Sequence, residues 1–293
     1  MKSLAFVVVF TLLLFFAAAP CALADAPQAI GTVVSAQGTW CDEAHLQCQD
    51  SSFHGLWKMY PVQMDSKLVR LGQISGHEVL VIRSRWGVLE TFDCSTPREL
   101  GCKSSLNLAR MVPAQPQKNV YTALFDAVTE LASAQPKVYD NLRQGILRTR
   151  GPGSRLADGV VEWREDGLNL ESVFADYGAR DFLLELCPLS DAAEPQCPAQ
   201  PAVSKYSWDP AHPAAFPATG IQPGLYRLYL CQDLQGAAQR TTFYADLLIA
   251  PPARYRELVG EYQQVFAATR DWDADDPTAP AMRRAYLYEL ARR

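Results

Sequence analysis

The sequence predicts a mainly β protein with a helical insert and a helical C-terminus. Its expected order is a small N-terminal β barrel or sandwich, a helical connector, a second antiparallel β-sandwich and two C-terminal helices. Three observations lead there. Short segments rich in β-branched and aromatic residues, separated by Gly, Asp and Ser, recur through residues 27–112. Apolar and polar residues alternate in three separate segments between 156 and 250, as in half-buried antiparallel strands. Apolar residues spaced three and four apart take over in 113–155 and 251–293, which is the period of a helix with one buried face.

In the first region the candidate strands are 30–35, 59–62, 67–71, 78–82 and 87–92. So many short strands in a compact stretch fit a small barrel or sandwich. The connector, 113–155, places Val120, Leu124, Val128 and Leu131 on one helix face. Pro136 interrupts it, because proline lacks the N–H that a helix interior needs. Val138, Leu142 and Ile146 then predict a second short helix, and Gly151-Pro152-Gly153-Ser154 reads as a linker.

The second β region, 156–250, opens with 159–163 and 168–170 on either side of Asp166-Gly167, a good hairpin-turn dipeptide. Phe182, Leu184 and Leu186 share one face of a strand over 180–187; Tyr226, Leu228 and Leu230 alternate likewise, as do Phe243, Ala245, Leu247 and Ile249. Eight prolines between 188 and 223 make that stretch mostly loop, with one strand around 203–208. In 251–293, Pro251-Pro252 suits a helix start, where the missing N–H costs nothing. Tyr255, Leu258, Val259, Tyr262, Val265 and Phe266 form its apolar stripe. Asp276-Pro277 offers a cap for the last helix, which Met282, Tyr286 and Leu290 carry, and Arg292 and Arg293 complement its negative end.

Residues 1–24 read as a secretory signal peptide. Lys2 precedes an apolar run from 4 to 19 broken by Thr11, and Ala22-Leu23-Ala24 supplies the small-x-small cleavage step. The alternatives are an uncleaved anchor and a lipid on Cys21, the latter disfavoured by Pro20. The expected location is periplasmic or extracellular, an oxidising place where cysteines pair. No later apolar run approaches the roughly 18 residues that cross a bilayer. With 27 basic and 32 acidic residues the chain carries −5, and loss of Lys2 makes it −5 − 1 = −6. That balance lacks the basic footprint of a nucleic-acid binder.

Seven cysteines follow the leader, and six fall as local couples: Cys41 with Cys48, Cys94 with Cys102, and Cys187 with Cys197. Three short-loop disulfides and a free Cys231 are the economical pairing; the rival joins Cys231 to Cys187 or Cys197. Cys41, His45, Cys48 and His54 have the residue types of a zinc site, but not the spacing of a common finger or ribbon, and an oxidising location favours the disulfide. His77 and His212 stand alone. Asp271-x-Asp273-x-Asp275-Asp276 starts like a calcium loop, then fails, with Pro277 next and Met282 where the bidentate Glu belongs. We therefore expect no metal and no other cofactor.

No nucleophile elbow, zinc-protease motif or phosphate-binding glycine loop is present, and Cys231 has no base suggested by its neighbours. An enzyme is the secondary reading, with Glu162, Glu165 and Asp166 as candidate carboxylates. Trp40, Trp57 and Trp86, with Phe53, lie near turns of the first β region and make the best candidate binding face, since exported modules grip sugars and peptides with exposed rings. The expected role is a non-catalytic module that binds an envelope protein or cell-wall component. A further alternative is a structural subunit that docks through its C-terminal helices.

Gly31-x-Val33-x-x-x-x-Gly38, with the order of short strands through Leu68 to Leu89, resembles the opening of FecR-like modules. These are small β domains of exported bacterial proteins, often tied to envelope signalling. The resemblance covers residues 28–112 at most and departs from the family at Gly72-Gln73, where a Gly-Asp step is usual. The remainder, with Gly224-Leu225-Tyr226-Arg227-Leu228, is similar to β-sandwich modules appended to uncharacterised exported proteins. Neither resemblance implies a catalytic residue.

Overall fold

The structure is a computed structural model that describes residues 29–49, 55–71, 78–93, 108–115, 118–148, 156–190, 194–217, 219–270, 272 and 278–293. The leader, the Cys94–Cys102 couple, Phe53, His54, His77, the glycine-proline linker and the acidic run at 271 and 273–276 lie outside the described residues.

The mainly β layout with a helical insert and a helical end is the one observed. The first β unit holds β1 (Ala29–Ala36), β2 (Trp40–Asp42), β3 (Pro61–Gln63), β4 (Leu68–Arg70), β5 (Val79–Ser84) and β6 (Leu89–Asp93). An antiparallel sheet runs β3-β1-β5-β6, and β2 pairs with β4 beside it. β1 is the central strand and is buried on both faces over Ala29–Val34. Gly31 is required there, because a Cβ would press on the Arg83 carbonyl and the Met111 side chain. Ile30, Val33, Trp40, Val62, Leu68, Leu80 and Ile82 fill this unit's own core, which Leu108 and Met111 of a short 3-10 turn close.

Two helices follow. α1 (Val120–Ala134) starts at Asn119, whose side chain accepts from the Thr122 N–H while the Thr122 hydroxyl accepts from the Asn119 N–H. Its predicted face, Leu124, Val128 and Leu131, is buried. α2 (Pro136–Arg148) begins at the predicted break, and Val138, Tyr139 and Leu142 face inward.

The second sheet comprises β7 (Gly159–Arg164), β8 (Gly167–Leu168), β9 (Arg180–Pro188), β10 (Ser204–Trp208), β11 (Gly224–Leu234) and β12 (Ala237–Ala250), in the order β10-β9-β11-β12-β7-β8. Its pairings are antiparallel except β12 with β7, where Leu247–Ala250 run parallel to Gly159–Glu162. The predicted turn at Asp166-Gly167 joins β7 to β8. Gly167 sits at φ +140°, and a Cβ there would strike the Phe216 carbonyl.

Alternation along β12 sends its two sides to different cores. Ala245, Leu247 and Ile249 meet an aromatic layer with Phe174, Tyr177, Tyr206, Trp208 and Phe216. Leu248 and Ala250 meet the helices, as does Val160 of β7. Those helices are α1, α2, α3 (Pro252–Thr269) and α4 (Ala279–Arg292), which share one core. α4 is buried nearly all round, from Ala279 to Leu290, as expected of a helix at the centre of a layer. The connector and the C-terminal helices, far apart in sequence, thus form one helical layer against the second sheet.

Among the described residues two disulfides are formed, Cys41–Cys48 and Cys187–Cys197, with Cα atoms 5.9 and 5.0 Å apart. Cys231 is free and buried. No helix among the described residues is long and apolar enough to cross a membrane.

Candidate functional site

The aromatic candidates separate once their burial is known. Trp40 is 1% exposed, and its indole N–H donates to the Gln37 carbonyl. It belongs to the core, which corrects its place on a binding face: β2 turns its ring inward between the two small sheets. Trp57 and Trp86 stay half-exposed. Trp57 packs edge-on against Tyr60, with centroids 4.9 Å apart.

Trp86 lies in the turn between β5 and β6, followed by Gly87 at φ +90°, Val88 and Leu89. Val88 and Leu89 are 50% and 42% exposed, so this hairpin tip presents two apolar side chains beside the half-buried Trp86, which packs on the unit's core. The tip is held from behind. The Arg83 guanidinium lies 3.8 Å from the Trp272 ring centroid and donates to the Gly87 carbonyl at 3.2 Å. Arg85 pairs with Asp126 of α1 at 2.5 Å. Gly87 backs onto the Tyr121 ring, which stacks on Trp272 at 5.4 Å. The exposed apolar tip therefore sits on a rigid base that ties the first unit to the helical layer.

Behind the same unit, Asp42 is a fully buried hub. Its carboxylate accepts from the Ser66 and Tyr60 hydroxyls at 2.6 and 3.0 Å, from the Lys67 N–H at 2.8 Å and from the Ala44 N–H at 3.2 Å; His45 Nδ1 lies 2.9 Å away. Burial pushes the carboxyl up, but the bonds from Ser66, His45, Lys67 and Tyr60 outweigh it and hold it below the ordinary carboxylate value. His45 also lies 3.5 Å from Asp65. The histidine that suggested a zinc ligand serves this hub instead, and its two neighbouring cysteines are joined to each other. Ser66 and His45 each bond to the aspartate rather than to each other, so this hub lacks the serine-to-histidine bond that nucleophilic catalysis requires.

The carboxylate candidates of the second region do not converge. Glu162 pairs with Arg164 at 2.5 Å, and Glu165 and Asp166 stand exposed in the β7–β8 turn. A different pair does converge. Asp246 of β12 accepts from Arg227 at 2.6 and 2.9 Å and from the Tyr288 hydroxyl at 2.6 Å, and Arg284 Nε lies 3.1 Å away. Arg284 also grips Asp158 at 2.9 and 3.0 Å, and Asp158 accepts the Asp246 N–H at 2.7 Å. Two aspartates and two arginines balance. Burial works against the Asp246 carboxylate, but Arg284 and Arg227 with Tyr288 win and hold it below its ordinary value. Burial pushes the Asp158 carboxyl up despite Arg284, and the charge of Asp246 adds to the rise. Each carboxylate is engaged by an arginine, which makes the quartet a clamp between α4 and the sheet rather than an acid–base pair awaiting a substrate.

Sequence reasoning missed this quartet. Asp158, Arg227, Asp246 and Arg284 come from four separate segments, and no spacing links them. The faint signal is a lone Asp inside the apolar alternation of β12 and an Arg pair inside the apolar stripe of α4. Glu185, Cys187 and Cys197 also cluster, but the cysteines are disulfide-bonded and Glu185 is bound bidentately by Arg240. The stripe of α3 turns inward through Leu258, Tyr262 and Val265, while Arg256, Gln263 and Gln264 face solvent beside an exposed Phe266. No protein-family model, curated protein or solved structure matches this chain.

Proposed function

We propose that the chain is an exported, non-catalytic binding module of the cell envelope that grips an envelope protein or cell-wall component with the β5–β6 hairpin tip. The observation that carries this reading is the tip itself: Val88 and Leu89 are open to solvent beside a half-buried Trp86, on a turn held by Arg83, Arg85 and Tyr121. Exposed apolar side chains on a rigid base lose little conformational freedom on binding, which favours recognition. The leader, the two disulfides and the FecR-like pattern of the first unit support an address in the periplasm or outside the cell.

The test is co-sedimentation of the purified mature chain with cell-wall and membrane fractions of its own source. Wild type should pellet with one fraction, and the double variant Trp86→Ser, Leu89→Ser should stay in solution with an unchanged circular dichroism spectrum. Equal pelleting of both, or none by wild type, overturns the reading.

A further inference from the structure

β11 and β12 form a hairpin that outgrows its sheet. β9 accompanies β11 from Tyr226 opposite Pro188 to Cys231 opposite Leu183, and no further. Beyond that point Arg180–Phe182 pair with β10 alone, and Gln232–Leu234 pair with Ala237–Gln239 alone. A bulge lies there. Tyr229 lies opposite Tyr244 and Cys231 opposite Arg240, so Leu230 faces Thr241, Thr242 and Phe243 together. The Thr241 hydroxyl donates to the Leu230 carbonyl and accepts from the Phe243 N–H, which stabilises the bulged loop. A bulge adds local twist, and the pairing of β11 with β9 ends one residue beyond it. Its Gln235-Gly236 turn, with φ +56° and +80°, keeps the arm a tight two-stranded ribbon.

The split leaves a fork. A groove of about 380 Å³ lies in it, lined by Arg180, Asp181, Lys205, Leu230, Cys231 and Gln232 among others. On each wall about three residues of strand, roughly 10 Å of chain, turn a backbone edge toward the groove with no partner strand among the described residues. The charges are unevenly paired as well. Lys205 is matched by Asp181 at 2.7 Å. Arg180 lies 4.7 and 4.6 Å from the Tyr177 and Phe182 ring centroids and meets no carboxylate among the described residues. Asp233 of the far wall balances the groove's charge overall, so what is unmatched is the Arg180 side chain itself, held over two rings with no carboxylate partner among the described residues.

We propose that the fork between β9 and β11 takes up an extended acidic peptide segment, which adds to the open edge of β9 as a short strand and places a carboxylate on Arg180. Main-chain hydrogen bonds supply the affinity in this mode and side-chain contacts supply the selectivity. The site lies on the second sheet, apart from the Trp86 tip, and stands whether or not that tip binds the envelope.

The test uses the full mature chain and a fluorescein-labelled hexapeptide, acetyl-Thr-Val-Glu-Val-Thr-Glu, followed by fluorescence anisotropy. Saturable binding is expected. Replacing both glutamates with lysine should weaken it at least tenfold, and N-methylation of alternate amides should do the same. Arg180→Gln should weaken it about fivefold, the size of an exposed ion pair. Absence of saturation up to millimolar peptide overturns the proposal. So does equal binding of the lysine or N-methylated peptide.

Discussion

The two β units meet the helical layer in different ways. The second sheet lays a whole face on it: Val160, Leu248 and Ala250 enter the same core as the four helices, and the Asp158–Arg284–Asp246–Arg227 quartet clamps α4 across the strands. The first unit has a core of its own and reaches the layer through a few contacts. Arg83 lies over Trp272, Arg85 pairs with Asp126, the Tyr139 hydroxyl donates to the Met59 carbonyl, and Met59 enters the helical core. The buried aspartates repeat the contrast. Asp246 is neutralised by arginines from a neighbouring strand and a distant helix, whereas Asp42 is satisfied mainly by hydroxyls and backbone N–H groups within its own unit. The lesson is that continuity of core, not order along the chain, defines the units. Helices on both sides of the second sheet in sequence belong with that sheet.

The contrast breaks most readily at the clamp. Arg284→Ala leaves Asp158 without its ion-pair partner and Asp246 with one arginine fewer. Removing one member of a buried pair costs about 3–5 kcal/mol, to be measured by urea unfolding. Hydrogen exchange should show the loss in α4, β7 and β12, while β1 and β5 keep their protection. Equal loss in β1 and β5 would mean that the two units share one cooperative core.

The reciprocal change is Asp42→Asn, which removes the charge from the hub and replaces one acceptor oxygen with a donor. Leaving buried donors unmatched costs about 1–3 kcal/mol. Exchange should rise around β2, β3 and β4 and stay constant in α4. A smaller effect belongs to the joint. A double-mutant cycle of Arg83→Ala with Trp272→Leu should give a coupling of about 1 kcal/mol; a value near zero would leave the joint to the Arg85–Asp126 and Tyr139–Met59 contacts.

The smallest change is expected on mild acidification. The folded states of Asp42 and Asp246 hold their protons less tightly than the unfolded chain, so their contribution is complete above the ordinary carboxylate value of about 3.9 and is lost as pH falls through their lowered values. Asp158 has the opposite sign: its raised value means that stability is gained as pH falls through it. The melting temperature should therefore hold or rise slightly as pH falls toward the ordinary carboxylate value of about 3.9, and fall below it. Asp158→Asn should abolish the rise, and a steady decline from neutral pH would contradict the assignment.

Legibility followed the range of the interaction. Strands over 180–187 and 226–230 and the face of α1 were readable because period two and period 3.6 are properties of neighbouring residues. The Cys41–Cys48 and Cys187–Cys197 bonds were readable because short loops bring their ends together. β2 was not readable, since three residues carry too little pattern, and the parallel pairing of β7 with β12 was not, since some eighty residues separate them. Trp40 and Trp86 look alike as residues near turns; full burial of one and half-burial of the other are set by the tertiary packing around each.

By itself the amino-acid sequence determined most element types and their approximate positions, the Cys41–Cys48 and Cys187–Cys197 couples and the charge balance. Tertiary structure alone decided that α1, α2, α3 and α4 form one layer, that Asp158, Arg227, Asp246 and Arg284 meet, and that the pairing of β9 with β11 stops at Cys231. The physical reason is the same throughout. Backbone periodicity is set by nearest neighbours, whereas the choice of partner is set by which apolar faces and buried charges must find each other across the whole chain, and no local pattern records that choice.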